Sequence, residues 1–377
     1  MKILVIPDSF KGSMTSAEAG ESIKAGVLNV CPDADVNSIP ISDGGEGFCE
    51  AVAAACGGHM RSINVTGPMG KTVEAEYCIL PDKTAVIEMA KASGFILVEQ
   101  WKQNPMTATT YGTGELLKDA LDMGCRKIVI GIGGSATNDG GTGMAKALGA
   151  VFNDVDGNEL PLGGGELNRL ADIDISSLDK RLSECEFIVA CDVNNPLCGK
   201  NGVSYVYGPQ KGATPEMVEV LDQNLRHYAE IIKRQLGTDV ADIPGAGAAG
   251  GLGAALLVFC HAALEKGINI MLDLLELEKK LDNVNLVITG EGRIDKQSLC
   301  GKVPVGVAKR VKSVSKIPVV AIAGQIDADA ESIYSTGIDG VMTIVDGVTD
   351  LETAIRNAKK LTENAAGRMM KLIRLDV

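Results

Sequence analysis

The amino-acid sequence predicts an α/β fold of two domains, in which a parallel sheet is built from both ends of the chain and a second domain is inserted between them. Apolar runs alternate with helical patterns in the first forty and the last hundred residues, as is typical of parallel βαβ units. The length of 377 residues is enough for two to three domains. Glycine supplies 45 residues and aromatic side chains only 3%, which indicates many tight turns and close backbone contacts.

The two ends of the chain supply the predicted parallel sheet. Its strands are the runs KILVI at 2–6, DVNSIP at 35–40, NLVIT at 285–289, PVVAIA at 318–323 and GVMTIV at 340–345. A helix over 15–30 follows the first strand, where Thr15 and Glu18 have the spacing of a capping box. Further helical patterns lie near 303–313, near 329–336 and from 350 onward. We therefore expect one discontinuous domain of residues 1–65 and 285–377.

The segment 66–284 is predicted to be the inserted domain, of mixed α/β type. Two antiparallel strands at 72–80 and 84–89 flank the turn Pro81-Asp82-Lys83. The clearest buried strands are KIVIGI at 127–132 and FIVAC at 187–191, and helical patterns lie near 115–123, 216–236 and 252–281. The uncharged stretch Gly245–Leu264 opens with weakly apolar Gly and Ala, so it predicts a glycine turn before a buried helix and no membrane span.

Composition and charge narrow the class of protein. The net charge of −13 argues against a nucleic-acid-binding protein, which needs basic patches, but an anionic substrate still fits a locally cationic pocket. The ten cysteines show no CxxC spacing and the three histidines give no zinc pattern. Because only four apolar residues precede Pro7, the N-terminus is too short for a signal-peptide core. We expect a cytoplasmic protein with free thiols.

Six segments crowd small and polar residues directly after predicted strands, where open α/β sheets bind their ligands. They are PDSFKGS at 7–13, DGGEG at 43–47, GIGGSATNDGGTG at 131–143, CDVNN at 191–195, GAGAAGGLG at 245–253 and TGEGRIDKQSLCGK at 289–302. Matches to GxGxxG at Gly245 and Gly131 lack the strand-to-helix context of a dinucleotide site. A Walker A loop is absent because Val65 stands where its first glycine is required.

These segments fit phosphoryl transfer best. That chemistry needs backbone N–H donors and cations around phosphates, carboxylates for Mg²⁺, and a base for the attacking hydroxyl. The available cations are Lys11, Arg293, Lys296 and Lys302, and the available carboxylates are Asp8, Asp43, Glu46, Asp139, Asp192, Glu291 and Asp295. Because histidine is scarce, the base is expected to be an aspartate. No G-x-S-x-G elbow is present, which disfavours a serine hydrolase.

Four motifs resemble the class I glycerate kinases: PDSFKGS, SDGGEG at 42–47, GIGGSATNDGGTGM at 131–144 and TGEGRIDKQSLCGKVPVGVA at 289–308. The resemblance implies a flavodoxin-like domain formed by both chain ends, and ATP-dependent phosphorylation of D-glycerate, with 2-phosphoglycerate favoured over 3-phosphoglycerate. The expected partners are D-glycerate and MgATP, without nucleic acid or membrane; the oligomeric state, a homodimer included, stays open. The alternatives are a kinase for hydroxypyruvate or tartronate, and a non-catalytic sugar-acid-binding protein.

Roles within this expected site are hypotheses. The catalytic candidates are Asp192, Lys11, Arg293 and Asp295. The candidates for substrate or phosphate contact are Asp8, Ser9, Gly133, Gly134, Ser135, Thr137, Asp139, Gly250, Gly251, Glu291 and Lys302, and the candidates for Mg²⁺ are Asp43 and Glu46. Structural alternatives stay open: Asp139 shaping its own turn, Arg293 in a structural ion pair, and the glycines of 245–253 serving close helix packing.

Overall fold

The computed structural model describes residues 1–42, 45, 47–295, 298 and 302–374. The strands are β1 (Lys2–Pro7), β2 (Asp35–Ser38), β3 (His59–Thr66), β4 (Thr72–Ile79), β5 (Thr84–Glu88), β6 (Lys127–Gly131), β7 (Val151–Asn153), β8 (Asp172–Asp174), β9 (Glu186–Ala190), β10 (Ala263–Glu265), β11 (Leu286–Ile294), β12 (Val319–Ile326) and β13 (Gly340–Thr343).

The helices are α1 (Ser16–Val30), α2 (Phe48–Cys56), α3 (Ala90–Ser93), α4 (Tyr111–Asp122), α5 (Thr142–Ala147), α6 (Val203–Tyr207), α7 (Pro215–Leu236), α8 (Ala248–Phe259), α9 (Gly267–Leu274), α10 (Leu277–Lys280), α11 (Val303–Val314), α12 (Leu351–Arg356) and α13 (Ala358–Ile373). Turns of 3₁₀ helix occur at Phe95–Leu97, Gln100–Lys102, Leu167–Arg169, Lys180–Glu184, Pro209–Lys211 and Ala328–Thr336.

The chain is organised as two compact units. The first consists of Met1–Asp43, Ala54–Cys56 and Ile268–Val377, and the second consists of Gly44–Ala53 and Gly57–Gly267. The limits predicted from the sequence, 1–65 with 285–377 and 66–284, differ from these units at both junctions. Strand β3 pairs with β4 in the second unit, whereas Arg310 of α11 binds Asp273 of α9 and Glu278 of α10 in the first. As a statement about independently folding domains, the predicted division stays a prediction.

The first unit contains the parallel sheet predicted from the two chain ends, and that prediction is confirmed. Its five strands lie in the order β13-β12-β11-β1-β2, and every neighbouring pair is parallel. Counted along the chain within this unit, the order is 2-1-3-4-5, the flavodoxin order. The connections after β1 and β11 leave in opposite directions. The crevice at the carboxyl ends of these two strands is therefore the switch point at which such sheets bind ligands.

Helix α1 is fixed at its start by the predicted capping box. The Glu18 backbone N–H donates to Thr15 Oγ1 at 3.2 Å, and the Thr15 N–H donates to the Glu18 carboxylate at 2.9 Å. Gly26 brings α1 close to α13, because a Cβ at this position would meet the Glu363 carbonyl oxygen at 2.0 Å. Loop 8–14 connects the carboxyl end of β1 to this capped start of α1.

The second unit is built on a mixed sheet in the order β10-β9-β6-β5-β4-β3. Strands β5, β6, β9 and β10 are parallel, and β4 runs antiparallel to both of its neighbours, so the predicted hairpin at 72–89 is confirmed. Glu88, Gly131, Ala190 and Glu265 are aligned across the four parallel strands. The loops that follow them emerge at one edge of the sheet.

The long helix predicted over 252–281 is wrong. Helix α8 ends at Phe259, and His261 takes a left-handed conformation with φ +50°. The chain then adds β10 parallel to β9 before α9 and α10 begin. An unbroken apolar pattern does not reveal such a reversal, because a buried strand and a buried helix can be equally apolar.

Two further expectations concern the membrane and the thiols. Among the described residues, no helix combines the length and the apolar character that a membrane span requires. The nine cysteines in the described ranges are free thiols.

Candidate active site

A cavity of about 760 Å³ lies in the first unit, beyond the carboxyl ends of β1, β11, β12 and β13. It thus occupies the switch point of the parallel sheet. Six of the predicted site residues line it: Asp8, Ser9, Lys11, Glu291, Arg293 and Lys302. The motifs at the two ends of the sequence are therefore brought together by the pairing of β1 with β11.

Glu291 is the carboxylate with unused bonding capacity in this cavity. Its side chain is 5% exposed, and its Oε2 lies 3.4 Å from Lys302 Nζ. Its Oε1 is buried and has no hydrogen-bond partner among the described residues. Burial raises the pKa of Glu291, and the Ser298 side chain and the Lys302 ammonium oppose that shift. An unsatisfied buried acceptor costs about 1–3 kcal/mol, so a donor or cation from a ligand would stabilise this oxygen.

The other charged residues near the cavity differ in how they are held. Lys11 is exposed, whereas Arg293 donates to both oxygens of Asp327, at 3.2 and 2.7 Å. Asp295 is not part of the described lining; its Oδ1 accepts from the Ser298 N–H at 3.1 Å and lies 3.8 Å from Lys302 Nζ. The structural ion pair considered for Arg293 is therefore present, but its partner is Asp327 and not Glu291 or Asp295, the acids that alternate with Arg293 in the sequence.

The second candidate region is the loop after β6 in the second unit, which contains Gly133 to Asp139. Gly133 and Gly134 are exposed, and Gly134 takes φ +73°. Asp139 is buried: its Oδ2 accepts from the Thr110 N–H and Oγ1, both at 2.8 Å, and from the Gly143 N–H at 3.2 Å. Its Oδ1 accepts from the Gly141 N–H at 3.1 Å. Burial raises the pKa of Asp139, and these bonds oppose the shift.

Ser135 and Thr137 of this loop are held by a lysine that the sequence did not single out. Lys211 Nζ donates to Ser135 Oγ at 2.6 Å and to the Thr137 carbonyl oxygen at 2.7 Å. The Lys211 side chain is buried, and burial lowers its pKa to about 7, while Asp139 opposes the shift. Lys211 therefore fixes the shape of the loop that carries two predicted contact residues.

Gly250 and Gly251 lie beneath the same loop. Both are buried and take positive φ, +73° and +91°. A Cβ on Gly250 would meet the Thr137 carbonyl oxygen at 2.0 Å, and one on Gly251 would meet Gly140 Cα at 2.7 Å. These glycines therefore allow close packing of the backbone, which was the structural alternative to their predicted contact with phosphate.

Asp192 and Glu88 lie at the carboxyl ends of two strands of the second unit's sheet: Asp192 follows β9, and Glu88 ends β5. Asp192 is exposed, and its Oδ1 accepts from the Gly267 N–H at 3.2 Å. Glu88, the last residue of β5, is buried and accepts from the Cys49 N–H at 2.8 Å. Burial raises the pKa of Glu88 to about 7, a value suited to proton transfer near neutral pH.

These features can be compared with known proteins. A model of the family described as the glycerate kinase family matches residues 3–374. The chain belongs to the glycerate kinase family. It is 52% identical to glycerate 2-kinase of Escherichia coli K12 over 359 residues, 95% of this chain and 94% of that protein. It is 48% identical to glycerate kinase of Bacillus subtilis 168 over 376 residues, 100% and 98% of the two chains.

A crystal structure named for glycerate kinase 2 of Salmonella typhimurium LT2 has the same fold. The TM-score is 0.89 at 49% identity, and the match covers 99% of this chain and 98% of that one. The two proteins therefore share the α/β architecture, including the sheet formed by both ends of the chain.

Three features of the candidate site were not predicted from the sequence: Lys211, Glu88 and the apolar wall of the cavity. Lys211 lies in the turn GPQKG, which has no chemical signature. Glu88 had a usable signal, because a single acid ends the apolar run TAVIE. The apolar cavity wall from Thr343 to Ala358 had none, since its side chains resemble those of an ordinary helix and its preceding loop.

The predicted Mg²⁺ ligands Asp43 and Glu46 lie outside the described residues. Among the residues that the structure does describe, no group of three or more His, Cys, Asp or Glu side chains is arranged to hold a metal ion.

Proposed function

We propose that this chain catalyses the ATP-dependent phosphorylation of D-glycerate, with 2-phosphoglycerate as the product. The name of the Escherichia coli relative, glycerate 2-kinase, supports the reaction and the choice of hydroxyl. The observation that carries the proposal is the switch-point cavity, which combines Lys11 and Lys302 with a buried Glu291 oxygen that has no described partner. The two lysines can neutralise the charge of two anionic substrates. The Glu291 oxygen can accept a hydrogen bond from a reacting hydroxyl or bind a metal ion.

Each charged group in the cavity has a proposed role. Lys302, at the start of α11, neutralises phosphate charge in the transition state, and Lys11 does so from the loop after β1. Glu291 supplies the acceptor oxygen. Arg293 is proposed as a phosphate contact that Asp327 keeps in one orientation through two hydrogen bonds.

Mg²⁺ is proposed as part of MgATP. The unpartnered buried Oε1 of Glu291 fits a hard cation, which prefers carboxylate oxygens. When bound, the ion would neutralise charge on the nucleotide phosphates. Asp43 and Glu46 stay proposed ligands from the sequence.

In the second unit, the loop from Gly133 to Asp139 is proposed to contact a substrate anion. Its exposed glycines leave backbone N–H groups accessible, and such groups bind carboxylates and phosphates. Asp192, at the end of β9, stays the proposed general base. Glu88 is a second candidate for that role, because its raised pKa favours proton uptake near neutral pH. A cytoplasmic location stays a prediction, and the oligomeric state, a homodimer included, stays open.

The reaction is tested by incubating the purified chain with MgATP and D-glycerate and identifying the product by ³¹P NMR. We expect formation of 2-phosphoglycerate and ADP, strictly dependent on D-glycerate and Mg²⁺. Hydroxypyruvate and tartronate serve as competing acceptors. Absence of any phosphoglycerate would overturn the kinase, and binding of D-glycerate without turnover would favour a sugar-acid-binding protein.

A matched pair of variants tests the role of the cavity. Lys302→Met removes a cation from the lining, and we expect kcat/KM for ATP to fall by about 10- to 150-fold, since a hydrogen bond to a charged group contributes about 1.5–3 kcal/mol. Lys309→Met makes the same change at an exposed position on α11, outside the described lining. Equal kcat/KM values for ATP in the two variants would show that Lys302 does not contact the nucleotide.

A further inference from the structure

The switch-point cavity has an apolar wall that glycerate cannot contact favourably. Phe10, Ile326, Ile344, Val345, Leu351, Ala354, Ile355 and Ala358 line it. Glycerate carries an oxygen on each of its three carbons and offers no apolar surface to such a wall. The volume of about 760 Å³ is also in the range of pockets that enclose drug-sized ligands. A larger ligand with an apolar face is needed to explain both properties.

The wall contains large apolar side chains that remain open to solvent. Leu351 is 75% exposed, Ile355 is 40% exposed and Ile326 is 37% exposed. Leu351 and Ile355 are separated by one helical turn and share a face of α12 with Ala354. The small Ala354 leaves room between them for a flat group. Covering these side chains would remove apolar surface from water at about 25 cal/mol per Å².

The charged side chain at this end of the cavity, Asp350, is already satisfied. Asp350 caps α12: its Oδ1 accepts from the Thr353 N–H and its Oδ2 from Thr353 Oγ1, both at 2.8 Å. The unpartnered oxygen lies at the other side of the cavity, on Glu291 near the end of β11, beside Lys302 at the start of α11. The cavity is thus apolar beside β13 and α12 and charged beside β1 and β11.

We propose that the apolar wall formed by Ile326, Ile344, Leu351, Ala354 and Ile355 binds the purine base of ATP, with the triphosphate directed toward Lys11 and Lys302. This inference rests on the proposed kinase function. A nucleoside triphosphate is the one substrate of that reaction with a flat, weakly polar end and a strongly anionic end. Its two ends match the two ends of the cavity, and the phosphates lie at the switch point.

The wall is tested with the double variant Leu351→Gln/Ile355→Gln. Both side chains are exposed, so the fold is expected to be retained, and glutamine adds no charge that would repel a nucleotide. We expect the Kd for ADP, measured by calorimetry, to rise at least tenfold. Binding of inorganic tripolyphosphate is expected to stay within twofold of the parent chain, because it has no base. KM for ATP should rise while KM for D-glycerate stays unchanged.

The matched control is Val348→Gln, which introduces the same side chain at a fully exposed position outside the described lining. ADP affinity unchanged in the double variant would overturn the base site, even where the parent chain phosphorylates glycerate. Equal losses for ADP and tripolyphosphate would also overturn it, since the wall would then act on the phosphates. A parent chain that fails to phosphorylate glycerate, yet binds ADP through this wall, would overturn the proposed function and leave the base site standing.

Discussion

Two buried carboxylates, one in each unit, have opposite environments. Asp139 accepts four hydrogen bonds from its own loop and neighbouring helix, and Lys211 nearby donates two to the same loop. Glu291 approaches Lys302 through one oxygen and leaves the other without a described partner. Burial raises the pKa of both acids. The difference lies in how much bonding capacity each retains for a ligand.

This difference separates a residue that shapes a loop from a residue that is proposed to contact a substrate. A saturated carboxylate contributes chiefly to stability, because its removal leaves several buried donors without an acceptor. A buried carboxylate that lacks a hydrogen-bond partner reduces stability in the free protein, and a ligand that supplies the missing partner is stabilised by it. We therefore expect substitutions of Asp139 to act mainly on unfolding, and those of Glu291 mainly on turnover.

The largest expected effect is on stability, from Asp139→Asn. The amide places an N–H₂ group against donors, so at least one backbone N–H loses its acceptor. We expect the free energy of unfolding, measured by urea titration with circular dichroism, to fall by about 3 kcal/mol. Asp174→Asn is the control, since Asp174 is exposed and accepts from the Ser176 N–H at 2.8 Å. Equal stability of the two variants would contradict the scaffold role of Asp139.

The next effect is on turnover, from Glu291→Gln. The change keeps the size of the side chain and removes its charge, so we expect kcat to fall by about 100-fold, equivalent to about 2.7 kcal/mol. The thermal midpoint should be unchanged or higher, because a buried carboxylate is no longer desolvated. Glu352→Gln, at an exposed position of α12, is the matched control. Loss of stability with normal turnover would make Glu291 a structural residue like Asp139.

The fold was largely predictable because its central strands are apolar runs, such as the one from Leu286 to Ile288. Strand β3 was not found, since HMRSINVT interleaves polar residues and its partner lies across a turn. The chain reversal at His261 was not found either. Both depend on pairing between segments, which a local pattern does not encode.

The motif residues of the first-unit cavity were predictable because phosphate chemistry demands cations and carboxylates in glycine-rich loops. Lys211 was not, because it contacts Ser135 across 76 residues of sequence, and nothing near it signals burial. The exposed Leu351 and Ile355 were not, because single apolar residues on a surface helix are common. Residue type was enough to propose these candidates, whereas the burial of each side chain and the shape of the cavity required the fold.

The smallest expected effect is the contribution of Lys211 to the pH dependence of the free energy of unfolding. Its pKa is about 7 in the folded chain and about 10.4 in an unfolded one, so between these values the unfolded chain binds the extra proton. Stability therefore rises with pH over this range, by at most about 1.4 kcal/mol per pH unit. Lys211→Met removes this dependence.

The stability advantage of the parent chain over Lys211→Met should thus grow by on the order of 2 kcal/mol between pH 7 and pH 9, as measured by urea unfolding at each pH. Other titrating groups cancel in the difference between the two proteins. Lys118→Met, an exposed position on α4, should give no such growth. Parallel pH curves for the parent chain and Lys211→Met would mean that the buried Lys211 keeps its charge. In that case the charge of Asp139 outweighs the burial of the Lys211 ammonium, and the loop is held by charge as well as by hydrogen bonds.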